Sequence, residues 1–301
     1  MRRLLTGLSV IFLLLLNTLI LIGPLLLIAL GKFVLPGKAL KTASSRGVMW
    51  VAETWAEINK LIFAALLPVR WDIRGSADLR PSTSYLVISN HQSWVDIPAL
   101  VQAFNRKTPY FKFFLKQELI WVPFLGLAFW ALDYPFMKRY SKAFLAKHPH
   151  MQGKDLEITK QACEKFKDLP VTVVNYLEGT RFTPAKQAQQ GSPFQYLLKP
   201  KAGGVAFVLA ALGEQLDTVL DVTLVYPGAR IPGFWALING QVDKVIVDIQ
   251  TRELDPALWQ GDYENDPNFR QFVQNWVNTL WEDKDARIAQ IRAELSTPTH
   301  G

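Results

Sequence analysis

Residues 4–30 form a long apolar stretch that contains no charged side chain. A transmembrane helix needs about 20 apolar residues, whereas the apolar core of a cleaved signal peptide is shorter, about 7–15 residues. Arg2 and Arg3 precede the stretch, and lysines follow it. We therefore expect a retained membrane anchor, with a cleaved signal peptide as the alternative.

The path of this anchor is open because Gly23 and Pro24 interrupt it. Proline removes a helical hydrogen bond and kinks a helix, so the pattern fits either one kinked span or two short helices in one leaflet. Residues 47–67 mix aromatic and charged side chains, as an interfacial helix or a core helix would. Residues 119–132 are apolar but short for a span, and we expect a membrane-contacting or buried helical segment there.

Composition narrows the classes of partner. The chain has 33 Lys and Arg against 26 Asp and Glu, a formal net charge of +7. With the apolar N-terminus, this excess favours an anionic membrane surface or anionic substrates. The sequence has no compact basic helix and no aromatic RNA-binding signature, so no nucleic-acid partner is expected. Cys163 is the single cysteine, which excludes an intrachain disulfide and a cysteine-rich metal site and fits a cytoplasm-facing domain.

The rest of the chain alternates strand and helix patterns, which indicates an α/β fold. We expect a membrane anchor with an interfacial helix over residues 1–68, and a soluble domain with a C-terminal helical tail over residues 69–301. The predicted strands are 71–73, 85–89, 171–177, 219–226 and 244–249; the predicted helices are 98–104, 155–166, 202–212 and 269–295; residues 183–193 are predicted to be a polar loop.

His91 and Asp96 follow a predicted strand, in the run Asn-His-Gln-Ser-Trp-Val-Asp at residues 90–96. A histidine accepts a proton near physiological pH, and a carboxylate on its other ring nitrogen fixes the tautomer and stabilises the imidazolium. Five residues is a poor spacing for one helical face, so the two side chains meet only if His91 lies in the loop and Asp96 opens the next helix. The alternative is an acidic residue that favours the helix dipole, beside an incidental histidine.

Glu178, Gly179, Thr180 and Arg181 directly follow another predicted strand. Glycine allows close approach of the backbone, and a hydroxyl and a guanidinium suit a cluster of anionic oxygens, because arginine holds phosphate in a bidentate fork. We interpret this turn as a candidate phosphate site. An ordinary surface turn with a salt bridge is the alternative.

Two further blocks are less specific on their own. Residues 114–126 and 136–139 place cations beside apolar segments, which is typical of positive charge at the depth of lipid headgroups and also of ordinary snorkelling side chains. Residues 222–227 have the pattern of a buried strand that ends at a proline.

Taken in order, these four blocks resemble the motifs of the 1-acyl-glycerol-3-phosphate acyltransferases, the PlsC-like family of glycerolipid acyltransferases. The resemblance runs from about Trp71 to Ile249, and the wording of residues 114–145 is most similar to the YihG-type branch of bacterial inner-membrane acyltransferases. The matching blocks are 90–96 for the NHxxxxD motif, 114–126 with 136–139 for the second, 176–182 for the third and 222–227 for the fourth.

The resemblance implies a mixed sheet flanked by helices, with an N-terminal membrane-embedded helical segment and the catalytic domain in residues 69–301. It implies that His91 is the general base, that Asp96 orients it and that Arg181 binds phosphate. The other substrate-binding residues that match the family pattern are Glu178, Gly179, Thr180, Lys116 and Arg139.

The chain also departs from the family pattern. Leu177 stands where many members have proline, and Phe182 follows the arginine where a small polar residue is common. The stretch after His91 is longer than in short members, which makes Lys112 a rival for the role given to Lys116. The fourth block is loose, so Pro227 is a weak match.

The implied reaction moves a fatty acyl chain from an acyl thioester, acyl-CoA or acyl carrier protein, to the free hydroxyl of a lysophospholipid. The first candidate is 1-acyl-sn-glycerol-3-phosphate, which would give phosphatidic acid. We expect backbone N–H groups near the helix start to hold the oxyanion. We expect no metal and no cofactor beyond the co-substrate, and a bacterial inner membrane with the catalytic domain facing the cytoplasm.

Three alternatives stay open at this point. A hydrolase would use Ser93 as nucleophile, although the sequence has no GxSxG elbow. A non-catalytic membrane scaffold would make no use of His91 and Asp96. The acceptor could also be another lysophospholipid or glycerol-3-phosphate, although the length and the motif wording favour a lysolipid.

Overall fold

The computed structural model describes residues 1–34, 36–75, 78–122, 125–137, 157, 161, 163, 169–228 and 230–296. Most of the predicted helix 155–166 lies outside these ranges, and so does Arg139. Everything below concerns the described residues.

The N-terminal region is a helical hairpin. Helix α1 spans Arg2–Val34 and runs unbroken through Pro24, so the alternative of two short helices within the apolar stretch is wrong. Helix α2 spans Lys38–Leu66. Asn17 of α1 donates to the Asn59 side chain of α2 over 2.8 Å, a buried polar contact that fixes how the two helices face each other. The hairpin is therefore one folded unit.

Helix α1 is long and apolar enough to cross a membrane, and it is the one such helix among the described residues. Its outer face exposes a row of large apolar side chains, whereas α2 buries a face that includes Val51, Ala56 and Phe63. Trp50 of α2 is exposed on the opposite side. Helix α2 thus packs one face in the core, as a core helix would, and whether its open face lies at a membrane interface stays a prediction.

A six-stranded mixed sheet forms the centre of the α/β part of the chain, and a mixed sheet flanked by helices is the fold that was expected. Its strand order is β1-β8-β7-β2-β6-β3; the β7–β8 pair is antiparallel and the other pairs are parallel. A separate two-stranded sheet pairs β4 with β5. The strands are β1 Arg70–Arg74, β2 Tyr85–Ser89, β3 Phe111–Phe113, β4 Leu115–Lys116, β5 Phe136–Met137, β6 Thr172–Tyr176, β7 Thr218–Val225 and β8 Lys244–Glu253.

Helices cover both faces of the sheet. On one face, α3 (Asp96–Phe104) packs together with the first half of α1. On the other, α6 (Ala202–Leu212) and α8 (Pro267–Ser296) build the larger core cluster. The predicted C-terminal tail is therefore a helix, but it is a core element, because side chains such as Trp281 are fully buried against the sheet.

The prediction of a polar loop at 183–193 is wrong, because α5 (Pro184–Gln190) lies there. Thr183 caps its start by accepting from the Lys186 N–H over 3.2 Å, and Pro184 occupies the first turn, where a missing N–H costs nothing. Gly191 ends the helix at a φ of +54°, which glycine adopts without strain. The polar composition concealed these cap residues.

The apolar segment 119–132 is helical in part, as predicted. A 3₁₀ turn spans Gln117–Trp121, and α4 spans Leu125–Ala131. The Trp121 side chain is 84% exposed, and Leu127 and Trp130 are also exposed. The short helix α7 (Phe234–Ile238) contacts the start of α1.

Candidate active site

The predicted catalytic loop lies at the carboxyl edge of three adjacent strands. Ser89, the last residue of β2, pairs with Tyr176 at the end of β6 and with Val222 of β7. Because these strands are parallel, the segments that follow them emerge at one edge, where α/β proteins place their sites. Residues 90–95, 177–182 and 226–227 therefore meet there.

Asn90 anchors the loop that carries His91. Its side-chain amide donates to the Leu224 carbonyl over 2.9 Å and accepts from the Leu224 N–H over 2.8 Å. Both bonds are buried, so the loop is fixed to β7 immediately before the histidine. The sequence interpretation assigned Asn90 no role, although the motif contains it.

His91 and Asp96 meet as expected. His91 Nδ1 lies 2.7 Å from Asp96 Oδ2, His91 stands in the loop, and Asp96 is the first residue of α3. With the proton on Nδ1, the other ring nitrogen, Nε2, presents its lone pair. One face of the imidazole stacks on the Tyr176 ring, with centroids 4.1 Å apart, so the ring plane is fixed as well.

The Asp96 carboxylate is fully buried and is contacted by four hydrogen-bonding groups among the described residues. Oδ2 accepts from the histidine and from the N–H groups of Gln92 and Ser93, at 2.8 and 3.0 Å. Oδ1 accepts from the Tyr226 hydroxyl at 2.5 Å. These bonds compensate the desolvation of a buried charge. The N–H groups of Gln92 and Ser93 are therefore engaged by Asp96, and the expectation that N–H groups near the helix start hold an oxyanion stays a prediction.

Ser93 is held away from a nucleophilic role. Its hydroxyl donates to the Pro232 carbonyl in a very short contact and accepts from the Val95 N–H at 3.0 Å. The side chain is buried. A nucleophilic serine must give its proton to a base, and this hydroxyl is turned to a carbonyl instead.

Glu178 supports the same loop from β6. It is fully buried; its Oε2 accepts from the His91 N–H and its Oε1 from the Leu198 N–H, both at 3.4 Å. Burial raises the pKa of this carboxyl to about 8. The prediction that Glu178 binds substrate directly is therefore corrected: a side chain without accessible surface positions the backbone of the catalytic loop.

The rest of the predicted phosphate turn faces outward. Gly179 has a φ of +67°, which favours glycine. Thr180 Oγ1 accepts from the Lys186 ammonium at 2.7 Å, which brings an unpredicted cation into the turn. The exposed Arg181 stacks on Trp94, with its guanidinium carbon 4.6 Å from the ring centroid. The turn and the catalytic loop thus share one surface.

The second-block cations lie partly outside the described residues. Lys116 belongs to β4, and nothing is described of its side chain; Arg139 lies outside the described residues. The rival Lys112 is buried, and its ammonium donates to the Leu132 carbonyl at 2.7 Å. The roles of Lys116 and Arg139 stay predictions.

An apolar cavity of about 480 Å³ opens beside the catalytic loop. Its wall joins three helices, with Leu14 of α1, Trp55 and Phe63 of α2, and Ile97 of α3, and it reaches Trp94. The lining is almost entirely apolar. Cavities of this size hold small organic ligands in proteins.

Among the described residues, no group of three or more His, Cys, Asp or Glu side chains is arranged to hold a metal ion. The histidine, its oriented carboxylate and the neighbouring arginine are groups suited to proton transfer and anion binding. With the mixed sheet, they define an α/β protein that has a candidate site for acid–base chemistry.

The family is shown by comparison with known proteins. The family model for acyltransferases matches residues 70–227, just over half of the chain, so the chain belongs to the acyltransferase family. The match begins at the first strand and ends one residue after Tyr226. The YihG-type branch within the family stays a prediction.

Three similar proteins illustrate the relationship. Human 1-acyl-sn-glycerol-3-phosphate acyltransferase gamma is 25% identical over 185 residues, 58% of this chain and 44% of that protein. Mouse lysocardiolipin acyltransferase 1 is 25% identical over 249 residues, which are 78% of this chain and 61% of that protein. The chain thus spans less than half of the human relative. The structure of PlsC, the 1-acyl-sn-glycerophosphate acyltransferase of Thermotoga maritima, matches with a TM-score of 0.52 and 20% identity over 93% of this chain and 98% of that one. This last likeness supports the fold.

Proposed function

We propose that this protein transfers a fatty acyl chain from an acyl thioester to the free hydroxyl of a lysophospholipid, with 1-acyl-sn-glycerol-3-phosphate as the first candidate acceptor. The carrying observation is the oriented His91–Asp96 pair, 2.7 Å apart, beside the exposed Arg181. The names of the similar proteins, which act on 1-acyl-sn-glycerol-3-phosphate or on lysocardiolipin, support a lysophospholipid acceptor.

The proposed step is a direct transfer. His91 Nε2 takes the proton of the acceptor hydroxyl as its oxygen attacks the thioester carbonyl. Asp96 stabilises the imidazolium through Nδ1. A carbon–oxygen bond forms, the carbon–sulfur bond breaks, and the imidazolium returns the proton to the departing sulfur. The products are the diacyl phospholipid and the free thiol of coenzyme A or acyl carrier protein.

Arg181 is proposed to hold the phosphate of the acceptor. Its guanidinium rests on Trp94, three residues from His91, so phosphate bound there would keep the acceptor hydroxyl close to the base. Positioning of this kind supplies several kcal/mol of the barrier reduction. Lys186, which is bonded to Thr180, adds positive charge to the same turn.

The apolar cavity beside Trp94 is proposed to take fatty-acyl carbon, because its lining offers almost no polar partner. Its walls come from the hairpin and from α3, so a chain in it would lie between the membrane-facing helices and the catalytic loop. This arrangement favours a lipid over a water-soluble acceptor.

We further propose that the hairpin lies in one leaflet of the membrane. Helix α1 has 33 residues and is therefore about 50 Å long, whereas the hydrocarbon core of a bilayer is about 30 Å thick. Both ends of α1 touch the soluble domain: Gly7 packs against Trp235, and Lys32 forms a 2.6 Å ion pair with Asp133. A helix tied at both ends to one domain lies along that domain. The expected site is the bacterial inner membrane, with the domain on the cytoplasmic side.

The test is a mass-spectrometric assay of the purified full chain with a panel of lysophospholipids, acyl-CoAs and acyl carrier protein. We expect a phospholipid that gains one acyl chain from the thioester. Release of free fatty acid without transfer would indicate a hydrolase. No turnover with any pair, from folded and membrane-bound protein, would favour the scaffold.

A further inference from the structure

We propose that Tyr226 is a positioning residue that adjusts the basicity of His91 through Asp96. The inference rests on the proposed function. Tyr226 directly follows β7 and belongs to the fourth sequence block, which matches the family pattern least closely.

Within the described residues, the Tyr226 hydroxyl donates to Asp96 Oδ1 at 2.5 Å. The other three hydrogen bonds of this carboxylate are made by Oδ2. A hydroxyl–carboxylate bond of this length belongs to the strong, charge-assisted class. Tyr226 is 1% exposed, so water does not compete for the bond. The carboxylate is therefore fixed in rotation by one donor on the far side from the histidine.

The position of Tyr226 follows from the sequence around it. Val225 ends β7, and Pro227 follows the tyrosine directly. A residue before proline is confined to extended backbone, which continues the direction of the strand beyond its last pair. The tyrosine thus stands at the sheet edge that carries the catalytic loop.

The electrostatic consequence has a definite sign. A hydrogen bond from Tyr226 stabilises the negative charge on Asp96, which reduces the pull of the carboxylate on the imidazolium. Without that bond, the carboxylate holds the imidazolium more tightly, and His91 stays protonated up to a higher pH. A general base is useful only in its deprotonated form, so the tyrosine would keep the base active at lower pH.

Other titratable groups face the pair, and none of them replaces this bond. Tyr176 stacks on the imidazole, and burial together with the nearby Asp96 raises its pKa well above the usual value. The pKa of Tyr226 is raised in the same way, so both phenols stay protonated. The Tyr226 hydroxyl donates to Asp96, whereas the Tyr176 hydroxyl has no hydrogen-bond partner among the described residues. Glu178 contacts the backbone of the loop, and Arg181 lies across Trp94.

The experiment compares acyl transfer against pH for the full chain, for Tyr226→Phe and for Tyr263→Phe, which serves as the control. Tyr263 is a half-buried tyrosine in the turn before α8, and its ring contacts Phe207 of α6. In Tyr226→Phe we expect the acidic limb of the kcat/KM profile to shift to higher pH by on the order of half a pH unit. At a given pH on that limb, kcat/KM then falls about threefold. The KM for the acceptor should stay within about twofold, because the hydroxyl does not touch substrate. The control should follow the wild type.

A second arm keeps the test sharp if Tyr226→Phe folds poorly. Site-specific replacement of Tyr226 by 3-fluorotyrosine keeps the phenol in place and makes its hydroxyl a stronger hydrogen-bond donor. The acidic limb of kcat/KM should therefore shift to lower pH. An unchanged limb in both variants, with activity normal or reduced equally at every pH, would overturn the inference and leave the proposed function standing. Absence of transfer by the wild type would instead refute the proposed function.

Discussion

The guanidinium carbon of Arg181 lies 4.6 Å from the centre of the Trp94 ring, so the cation that follows β6 rests on the loop that follows β2. This contact joins two sequence blocks that are almost ninety positions apart. It places the candidate phosphate-binding guanidinium over a residue three positions after His91, on the side of the loop where the apolar cavity opens. A cation held over an aromatic face keeps its donors free for an anion.

Arg181→Ala should raise the KM for a phosphate-bearing lysolipid about tenfold or more, because a charge-assisted bidentate contact is lost. The kcat should change less, and 1-acylglycerol, which has no phosphate, should be used equally by variant and wild type. Steady-state kinetics with both acceptors measure this. Arg270→Ala, on the exposed start of α8, is the control; an equal loss with both acceptors would count against phosphate binding.

The stability of the protein should depend on the protonation of Glu178. Its pKa of about 8 in the folded state exceeds the usual carboxyl value, so between about pH 5 and pH 8 the folded protein holds a proton that the unfolded chain has lost. The free energy of unfolding should therefore fall across this window as pH rises and level off above it.

In Glu178→Gln the free energy of unfolding should depend less steeply on pH, because the titrating carboxyl is gone. The amide also places an N–H group against a backbone donor, which should lower the free energy of unfolding by about 1–3 kcal/mol at every pH. Chemical denaturation at a series of pH values measures it. Glu214→Gln, an exposed carboxyl, should keep the wild-type slope. Parallel curves for wild type and Glu178→Gln would contradict a buried, protonated carboxyl.

The one-leaflet placement of the hairpin predicts that both ends of α1 are on one side of the membrane. Arg3 lies at the start of α1, and Lys41 lies in the first turn of α2, shortly after α1 ends. Arg3→Cys and Lys41→Cys should both react with a membrane-impermeant maleimide from the side that labels Asp283→Cys on α8. Cys163 is buried and gives a low background. Labelling of Arg3→Cys from the opposite side would establish a span instead.

Helix α8 should contribute strongly to stability through Lys284. Its ammonium is buried, makes a very short contact with Asp221 and donates to the Val222 carbonyl at 2.7 Å. Lys284→Met removes the cation and leaves the buried Asp221 carboxylate with Arg252 as its remaining ion-pair partner among the described residues, so the free energy of unfolding should fall by about 3 kcal/mol. Lys199→Met on the surface should change stability by less than about 0.5 kcal/mol. Equal stabilities in denaturant would refute the assignment.

The sequence predicted the elements whose patterns are local. Strands β2 and β7, and helix α6, lie within a residue of the expected bounds, because apolar β-branched runs and small-residue helices are recognisable without their neighbours. Helix α5 was missed because its composition is polar, and its signal lay in Thr183, Pro184 and Gly191 rather than in periodicity.

The site was predicted where one strand and its loop suffice. The His91–Asp96 contact follows from a short loop leading into a helix. The contacts of Asp96 with Tyr226, and of Glu178 with the His91 backbone, join distant segments through the order of strands in the sheet. A single sequence contains no local trace of that order. The family resemblance therefore placed Glu178 among the substrate-binding residues, whereas its burial makes it a support for the loop of His91.

Acyl transfer by the His91→Gln variant tests most directly whether His91 is the general base. Glutamine keeps a polar side chain next to Asp96 but is not a base at neutral pH, so we expect a rate at least 10²-fold below wild type. Folding and vesicle binding should equal those of the wild type, with Gln195→Ala as a surface control. Near-normal transfer of an acyl chain to a lysophospholipid by His91→Gln would contradict the central claim.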